Sequence, residues 1–446
     1  MRTTFASIAL GLVSAASALN PIVIRGNAFF DSVTGDRFYI RGVDYQPGGS
    51  SAINADPLAN GAACKRDIPY MQSLGANAMR VYATDNSANH TECMNLLEEA
   101  GIYLILDVNT PHFSINRNEP WDSYNAVYLQ HVFATIDAFK GYNNLMAFFA
   151  GNEVIMGSNT TMAAAWVKAT VRDMKLYIQS QSSRSIPVGY SAADISSNRV
   201  LLAEYLNCGS DATARSDFYS FNQYEWCGYS SFEKSGFADR VEDFQNYSIP
   251  LFFSEFGCNL VQPRPFTEIQ SIYSKNMTSV FSGGLVYEWT EEANNYGLVE
   301  VNNISSVSPL QDFYNLKNQY QLTPNPTGDG GYNPSGQYST CPGNSTDFET
   351  WAVLPPTPAQ ALQYIKLGAG NATGNSGNGS QWLGPDATST VTPGNGTNSG
   401  SSTDNSGEKK SGSAMVEINS MFLSIASFGT LIALSGAMVF LYMTKK

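Results

Sequence analysis

Two glutamates in this sequence stand where a pair of carboxyl groups could do chemistry. Glu153 follows the apolar run 146–151 and Asn152, and Glu255 follows the apolar run 249–253 and Ser254. Cleavage of a glycosidic bond needs such a pair: one carboxyl protonates the leaving oxygen while the other attacks the anomeric carbon. A single glutamate after an apolar run is as readily a solvated loop residue. Two of them, each closing an apolar run and one preceded by asparagine, favour catalysis. Retaining chemistry would set the carboxyl groups about 5–5.5 Å apart, and a gap above about 6.5 Å would mean inversion. Only three histidines are present and no C-x-x-C pair occurs, so neither a zinc site nor any other metal or organic cofactor is expected.

Eight short apolar runs could carry these residues: 38–45, 77–82, 102–107, 146–151, 186–190, 218–221, 249–253 and 284–287. Amphipathic stretches at 67–74, 92–100 (with Gly101 as a stop signal) and 162–179 read as helices between them. Strands apolar on both faces and alternating with helices predict a parallel sheet, and eight such units in this length predict an α/β fold, the (β/α)8 TIM barrel. A doubly wound sheet is the alternative, but no Gly-rich phosphate loop supports it. Residues 21–36 would add a small hairpin before the barrel. Active sites of such barrels lie at the C-terminal strand ends. Those ends carry Asp44 and Tyr45, Tyr82, Asp107 and Asn109, Asn152 and Glu153, Asn222 to Tyr224, Glu255, and Tyr287 to Trp289. Glu153 and Glu255 stand 102 positions apart, close to the length of three βα units.

The 446 residues hold 25 basic and 38 acidic side chains, a net charge of −13. With no basic block, nucleic acid is not an expected partner. Charged residues make up 14%, against about 25% in an average soluble chain, so the surface must gain polarity in another way. Residues 1–18 read as a secretory signal peptide: Arg2, an apolar stretch, then Ala16-Ser17-Ala18 at the cleavage site. Nine N-x-S/T sequons agree with export, at Asn89, Asn159, Asn246, Asn276, Asn303, Asn344, Asn371, Asn378 and Asn395. Six cysteines, Cys64, Cys93, Cys208, Cys227, Cys258 and Cys341, predict three disulfides with fifteen possible pairings.

Composition then divides the chain. Residues 19–322 are the barrel, and 323–367 are an extension packed on it, where Cys341 and Trp351 point to order. Residues 368–413 are almost all Gly, Ser, Asn and Thr, the pattern of a disordered, glycosylated stalk. Residues 414–446 close with the uncharged run 421–443 and two lysines. Small residues from Ser411 to Ala414, a spacer and this tail read as a GPI-attachment signal, with Ser411 or Gly412 as the attachment point. The rival is a transmembrane helix with a two-lysine stub. The expected location is the outer face of the plasma membrane and the cell wall.

Longer motifs narrow the reading. Gly151-Asn152-Glu153 and Ser254-Glu255-Phe256-Gly257 resemble the acid/base and nucleophile signatures of retaining (β/α)8 glycosidases. Arg41-Gly42-Val43-Asp44-Tyr45-Gln46-Pro47-Gly48-Gly49 resembles the fungal β-1,3-glucanosyltransferases of glycoside hydrolase family 72. So do Asn77-Ala78-Met79-Arg80-Val81-Tyr82, Leu285-Val286-Tyr287-Glu288 and Asn295-Tyr296-Gly297-Leu298-Val299. The resemblance spans roughly residues 20–340. It implies that Glu153 is the acid/base, Glu255 the nucleophile, and Asn152 a partner of the sugar 2-OH. Tyr224 and Tyr287 would line the reacting subsite, Tyr82 and Asp107 would bind glucan, and Trp289 and Tyr296 would offer flat faces to sugar rings. It also implies the pairs Cys64–Cys93, Cys208–Cys341 and Cys227–Cys258. With Cys341 the only cysteine beyond Cys258, the cysteine-rich carbohydrate-binding module of some members is not expected. The implied activity is transfer between β-1,3-glucan donor and acceptor chains by a monomer. An endo-β-1,3-glucanase and a non-catalytic wall protein are the rival readings.

Overall fold

The computed structural model describes residues 19–49, 52 and 56–396. The signal segment, Ser411, Gly412 and the apolar tail lie outside the described residues. Among the described residues no helix is long and apolar enough to cross a membrane.

Eight parallel strands close into a barrel: β1 Ile40–Asp44, β2 Ala78–Val81, β3 Tyr103–Asp107, β4 Leu145–Asn152, β5 Val188–Ala193, β6 Phe218–Cys227, β7 Leu251–Cys258 and β8 Phe281–Val286. Each is followed by a helix: α1 Gly61–Leu74, α2 Thr91–Glu99, α3 Ala126–Phe139, α4 Ala164–Gln181, α5 Arg199–Leu206, α6 Phe237–Phe244, α7 Glu268–Ile272 and α8 Gln311–Leu322. The strands are buried along nearly their whole length, which is why they read as continuous apolar runs rather than as alternation. Local signals set the helix ends. Asn60 and Asn125 accept hydrogen bonds from the backbone of Ala63 and Tyr128 at the starts of α1 and α3, and Gly75 ends α1 in the left-handed region at φ 90°.

A three-stranded antiparallel sheet of Ile22–Arg25, Ala28–Asp31 and Arg37–Phe38 precedes the barrel. Its Phe29 meets Phe218 and Phe252 edge-on at 6.1 and 6.0 Å, near the beginnings of β6 and β7. This sheet therefore plugs the end of the barrel opposite the C-terminal strand ends. The larger apolar cluster lies between strands and helices.

Three disulfides are present, with the pairing that the resemblance implies. Cys64–Cys93 joins α1 to α2, Cys227–Cys258 joins the ends of β6 and β7, and Cys208–Cys341 joins the barrel to the segment that follows it. That segment also lies against the barrel through Arg172, which donates to Pro355 O and Thr357 Oγ1 at 2.9 Å, and through α9, Ala359–Leu367, on α3 and α4.

The expected stalk beginning at residue 368 is corrected by the structure: residues 368–396 are packed on the barrel. Gln130 donates to Ala369 O and Asn371 O, Asn86 accepts from Gly374 N, Ser380 is fully buried, and Ala369 bridges Gly394. The segment docks through backbone hydrogen bonds to polar side chains and turns at glycines such as Gly374 and Gly379, whose φ angles are positive. It carries no apolar period, so a reading based on periodicity assigns it to a stalk. All nine sequon asparagines are exposed.

Candidate active site

The site is organised around a buried arginine. Arg80, in β2, is fully buried between the rings of Tyr82 and Phe149, 4.2 and 4.6 Å from their centroids. Its guanidinium donates to both oxygens of Asp107 at 2.9 and 3.2 Å, to Asn152 Oδ1 at 2.9 Å, and to Ser254 O at 3.3 Å, and reaches Glu255 Oε1 at 3.5 Å. A planar fork with five donors can be buried only when its bonds are met in this way. It draws the ends of β3, β4 and β7 to one point.

Glu255 sits in this setting with both oxygens engaged. Tyr82 donates to Oε1 and Tyr224 to Oε2, each at 2.8 Å. Burial and the charge of Glu153 push the Glu255 carboxyl up to about 7, against the pull of Arg80 and the two hydroxyls. Burial also raises Tyr82 and Tyr224 well above the usual tyrosine range, so both remain donors.

Glu153 lies just past the end of β4 with φ 48°, unusual for a residue with a side chain. Its backbone is fixed on both sides: its N–H donates to Ser191 O at 2.8 Å, and its carbonyl accepts from Arg117 at 2.9 Å. Asn222 donates to Glu153 Oε1 at 2.8 Å. Asn222 Oδ1 in turn accepts from Ser254 Oγ, which lies 2.8 Å from Ser191 Oγ, and Ser191 donates to Asn152 Oδ1. A polar chain thus runs from Arg80 through Asn152 to Glu153. The Asn152 oxygen is held by Arg80 and Ser191, so the group it can offer a sugar is its N–H2.

Beside Tyr82, Asp107 and Asn152 opens a cleft of 590 Å³, lined further by Asn109, Arg117 and Gln381. Around Glu255, Tyr224, Tyr287 and Tyr296 form a mutually edge-on cluster with ring separations of 6.4, 5.7 and 5.3 Å. Arg264 fixes this cluster by donating to Gly257 O, Tyr287 O and Tyr296 O.

The structure thus brings Tyr82, Asp107, Asn152, Glu153, Tyr224, Glu255, Tyr287 and Tyr296 to one end of the barrel. Trp289 is a correction. Its indole is fully buried, edge-on to Phe313 at 6.2 Å, and offers no face to a sugar. Beyond β8 the Trp289 N–H still donates to Asp44 O at the end of β1 and its carbonyl accepts from Val299 N, and the side chain is turned into the core. Sequence reasoning gave no role to Arg80, Ser191, Asn222 or Ser254. Arg80 had a signal: a lone cation inside an apolar strand must be buried with acidic partners. Asp44 is also fully buried, and burial raises its carboxyl well above the usual range. Among the described residues, no group of three or more His, Cys, Asp or Glu is placed to hold a metal ion.

Residues 11–324 match the glucanosyltransferase family of glycoside hydrolases, family 72. The chain belongs to glycoside hydrolase family 72. Its relatives in the family include the 1,3-beta-glucanosyltransferase gas4 of Schizosaccharomyces pombe, 56% identical over 83% of this chain and 82% of that protein. Gel1 of Aspergillus fumigatus, another 1,3-beta-glucanosyltransferase, is 53% identical over 82% of this chain and 80% of its own length. Among solved structures, a mutant of Saccharomyces cerevisiae Gas2p in complex with laminaritetraose and laminaripentaose superimposes with a TM-score of 0.72 at 41% identity. It covers 77% of this chain and 76% of that one. The family match ends at residue 324, so it does not reach the packed segment beyond.

Proposed function

We propose that this chain is a 1,3-β-glucanosyltransferase of the cell surface that cuts and rejoins β-1,3-glucan by retaining double displacement. The observation that carries this is the unequal hydrogen bonding of the two carboxyl groups. Glu255 receives two tyrosine hydroxyls with Arg80 nearby, which suits a carboxylate nucleophile. Glu153 receives a single amide and is the proton carrier. In the first step Glu255 attacks the anomeric carbon, the bond from that carbon to O3 of the next sugar breaks, and Glu153 gives its proton to O3. In the second step Glu153 takes the proton from the 3-OH of another glucan chain, whose oxygen attacks the same carbon and releases Glu255. Bond number is conserved: one chain lengthens and another shortens. The N–H2 of Asn152 is available to the 2-OH of the reacting sugar, where a hydrogen bond that tightens in the transition state accelerates both steps. The cleft beside Asn152 and the tyrosine cluster around Glu255 give two differently built walls for glucan chains.

Relatives named 1,3-beta-glucanosyltransferases at over 50% identity and a neighbour holding laminari-oligosaccharides support the substrate. The signal-like N-terminus, the exposed sequons and the small-residue cluster before an apolar tail support a glycosylated protein held by a GPI anchor. The nucleophile assignment is tested with a 2-fluoro laminari-oligosaccharyl fluoride, whose good leaving group dispenses with the acid. Peptide mapping by mass spectrometry should find the glycosyl adduct on Glu255, in the wild type and in Glu153→Gln. An adduct on another residue, or none, would overturn the assignment.

A further inference from the structure

Beside the catalytic cleft lies a second, larger concavity of 1020 Å³. Its walls are aromatic and proline-rich. Trp121 comes from the short helical turn Pro120–Ser123 after β3, Trp166 from the first turn of α4, and Trp351 from the segment beyond the barrel. The three indoles form a row, Trp121 to Trp166 at 6.2 Å and Trp166 to Trp351 at 5.1 Å. Trp166 is the buried base of the row, while Trp121 and Trp351 are 40% and 38% exposed. Large aromatic faces left open in a groove are not core packing. Only Glu349 and Asp386 among the lining residues are charged, and both are acidic, so the groove suits a neutral ligand and repels a polyanion.

The groove adjoins the catalytic cleft along two stretches of chain. Asn118 lines the cleft and Trp121 the groove, three residues on. Gln381 lines the cleft and Pro385 the groove, four residues on. Even fully extended, these stretches span at most about 11 and 14 Å. Between them Trp382 is 68% exposed, and Gly384 N donates to Asp122 O at 3.0 Å, tying the two stretches together.

We propose that this tryptophan groove is a distal glucan subsite, holding a stretch of the same β-1,3-glucan chain whose reacting end lies in the cleft. The proposal rests on the glucan reading above. The polymer is uncharged, its sugar rings present C–H faces that stack on indoles, and a chain leaving the cleft past Gln381 meets Trp382 and then the groove. The site makes the enzyme selective for long chains, because only a polymer reaches both. It also assigns a role to the segment 344–388, which lies beyond the stretch 11–324 matched by the family model.

The test compares steady-state kinetics of the full-length protein in detergent on long soluble β-1,3-glucan and on laminaripentaose. Trp121→Ala and Trp351→Ala should each raise KM for the long glucan about tenfold, equivalent to about 1.4 kcal/mol, with its kcat unchanged. Both constants for the pentaose should also stay unchanged, which shows that the barrel is intact. Trp382→Ala, at an exposed position whose loss leaves the core alone, should shift the long-chain KM in the same direction. An unmoved long-chain KM in all three variants overturns the subsite, and so does an equal shift for both substrates, which would mark the tryptophans as structural. Asn344 also lines the groove and heads a sequon. If Asn344→Gln lowers the long-chain KM, the groove is the resting place of the protein's own glycan, and the proposal fails. Absence of chain transfer on both the long glucan and the pentaose by the unmutated protein would instead defeat the functional reading itself.

Discussion

At the scale of residues, the site holds two carboxyl groups in different settings. Burial and the charge of Glu153 hold the Glu255 carboxyl up at about 7, against the pull of Arg80 and the hydroxyls of Tyr82 and Tyr224. A nucleophile must be ionised to attack, and this fixes the sign of the pH dependence. As pH rises through about 7 Glu255 ionises, and kcat/KM should rise with an apparent pKa of about 7. A pH–rate profile with no rise around pH 7 would mean that Glu255 is ionised well below it, contradicting this account of the nucleophile's setting. The glutamates were legible in the sequence because each closes an apolar strand, a pattern that burial imposes directly. The network that tunes them was not. Ser191, Asn222 and Ser254 are ordinary polar residues in sequence, and become a chain only when neighbouring parallel strands set them side by side. Trp289 misled for the related reason that an aromatic at a strand end can turn either to the mouth or to the core, and composition does not record which.

At the scale of elements, the barrel was readable because all eight strands are buried and all eight are separated by amphipathic helices. The segment beyond α8 was readable only in part. Cys341 and Trp351 marked it as ordered, but residues 368–396 hold to the barrel by backbone hydrogen bonds to Gln130, Asn86 and Asn125, which leave no apolar period. The Cys208–Cys341 bond closes a separation of 133 residues, and a loop of that size contributes up to about 4–5 kcal/mol. Replacing both cysteines with serine should lower the thermal midpoint by roughly 5–15 °C, while pentaose transfer at low temperature persists because the bond lies away from the carboxyl pair. An unchanged midpoint in a thermal melt would show that the segment's other contacts suffice.

At the scale of the whole molecule, the chain is a catalytic barrel with its own C-terminal wrapping, proposed to be delivered to the cell surface and held there by lipid. Phosphatidylinositol-specific phospholipase C should release the protein from membranes in a form lacking residues 421–446. A retained form that yields a peptide containing Lys445 and Lys446 would show a membrane-spanning helix instead. The central claim is that bond cleavage by Glu153 and Glu255 is followed by transfer rather than hydrolysis. It is tested most directly by chromatographic sizing of products from a single-length, reduced laminari-oligosaccharide. The account predicts products longer than the starting chain in amounts matching the shorter ones. Shorter products alone would reveal a glucanase, an unchanged substrate would reveal a non-catalytic wall protein, and either result would contradict the account.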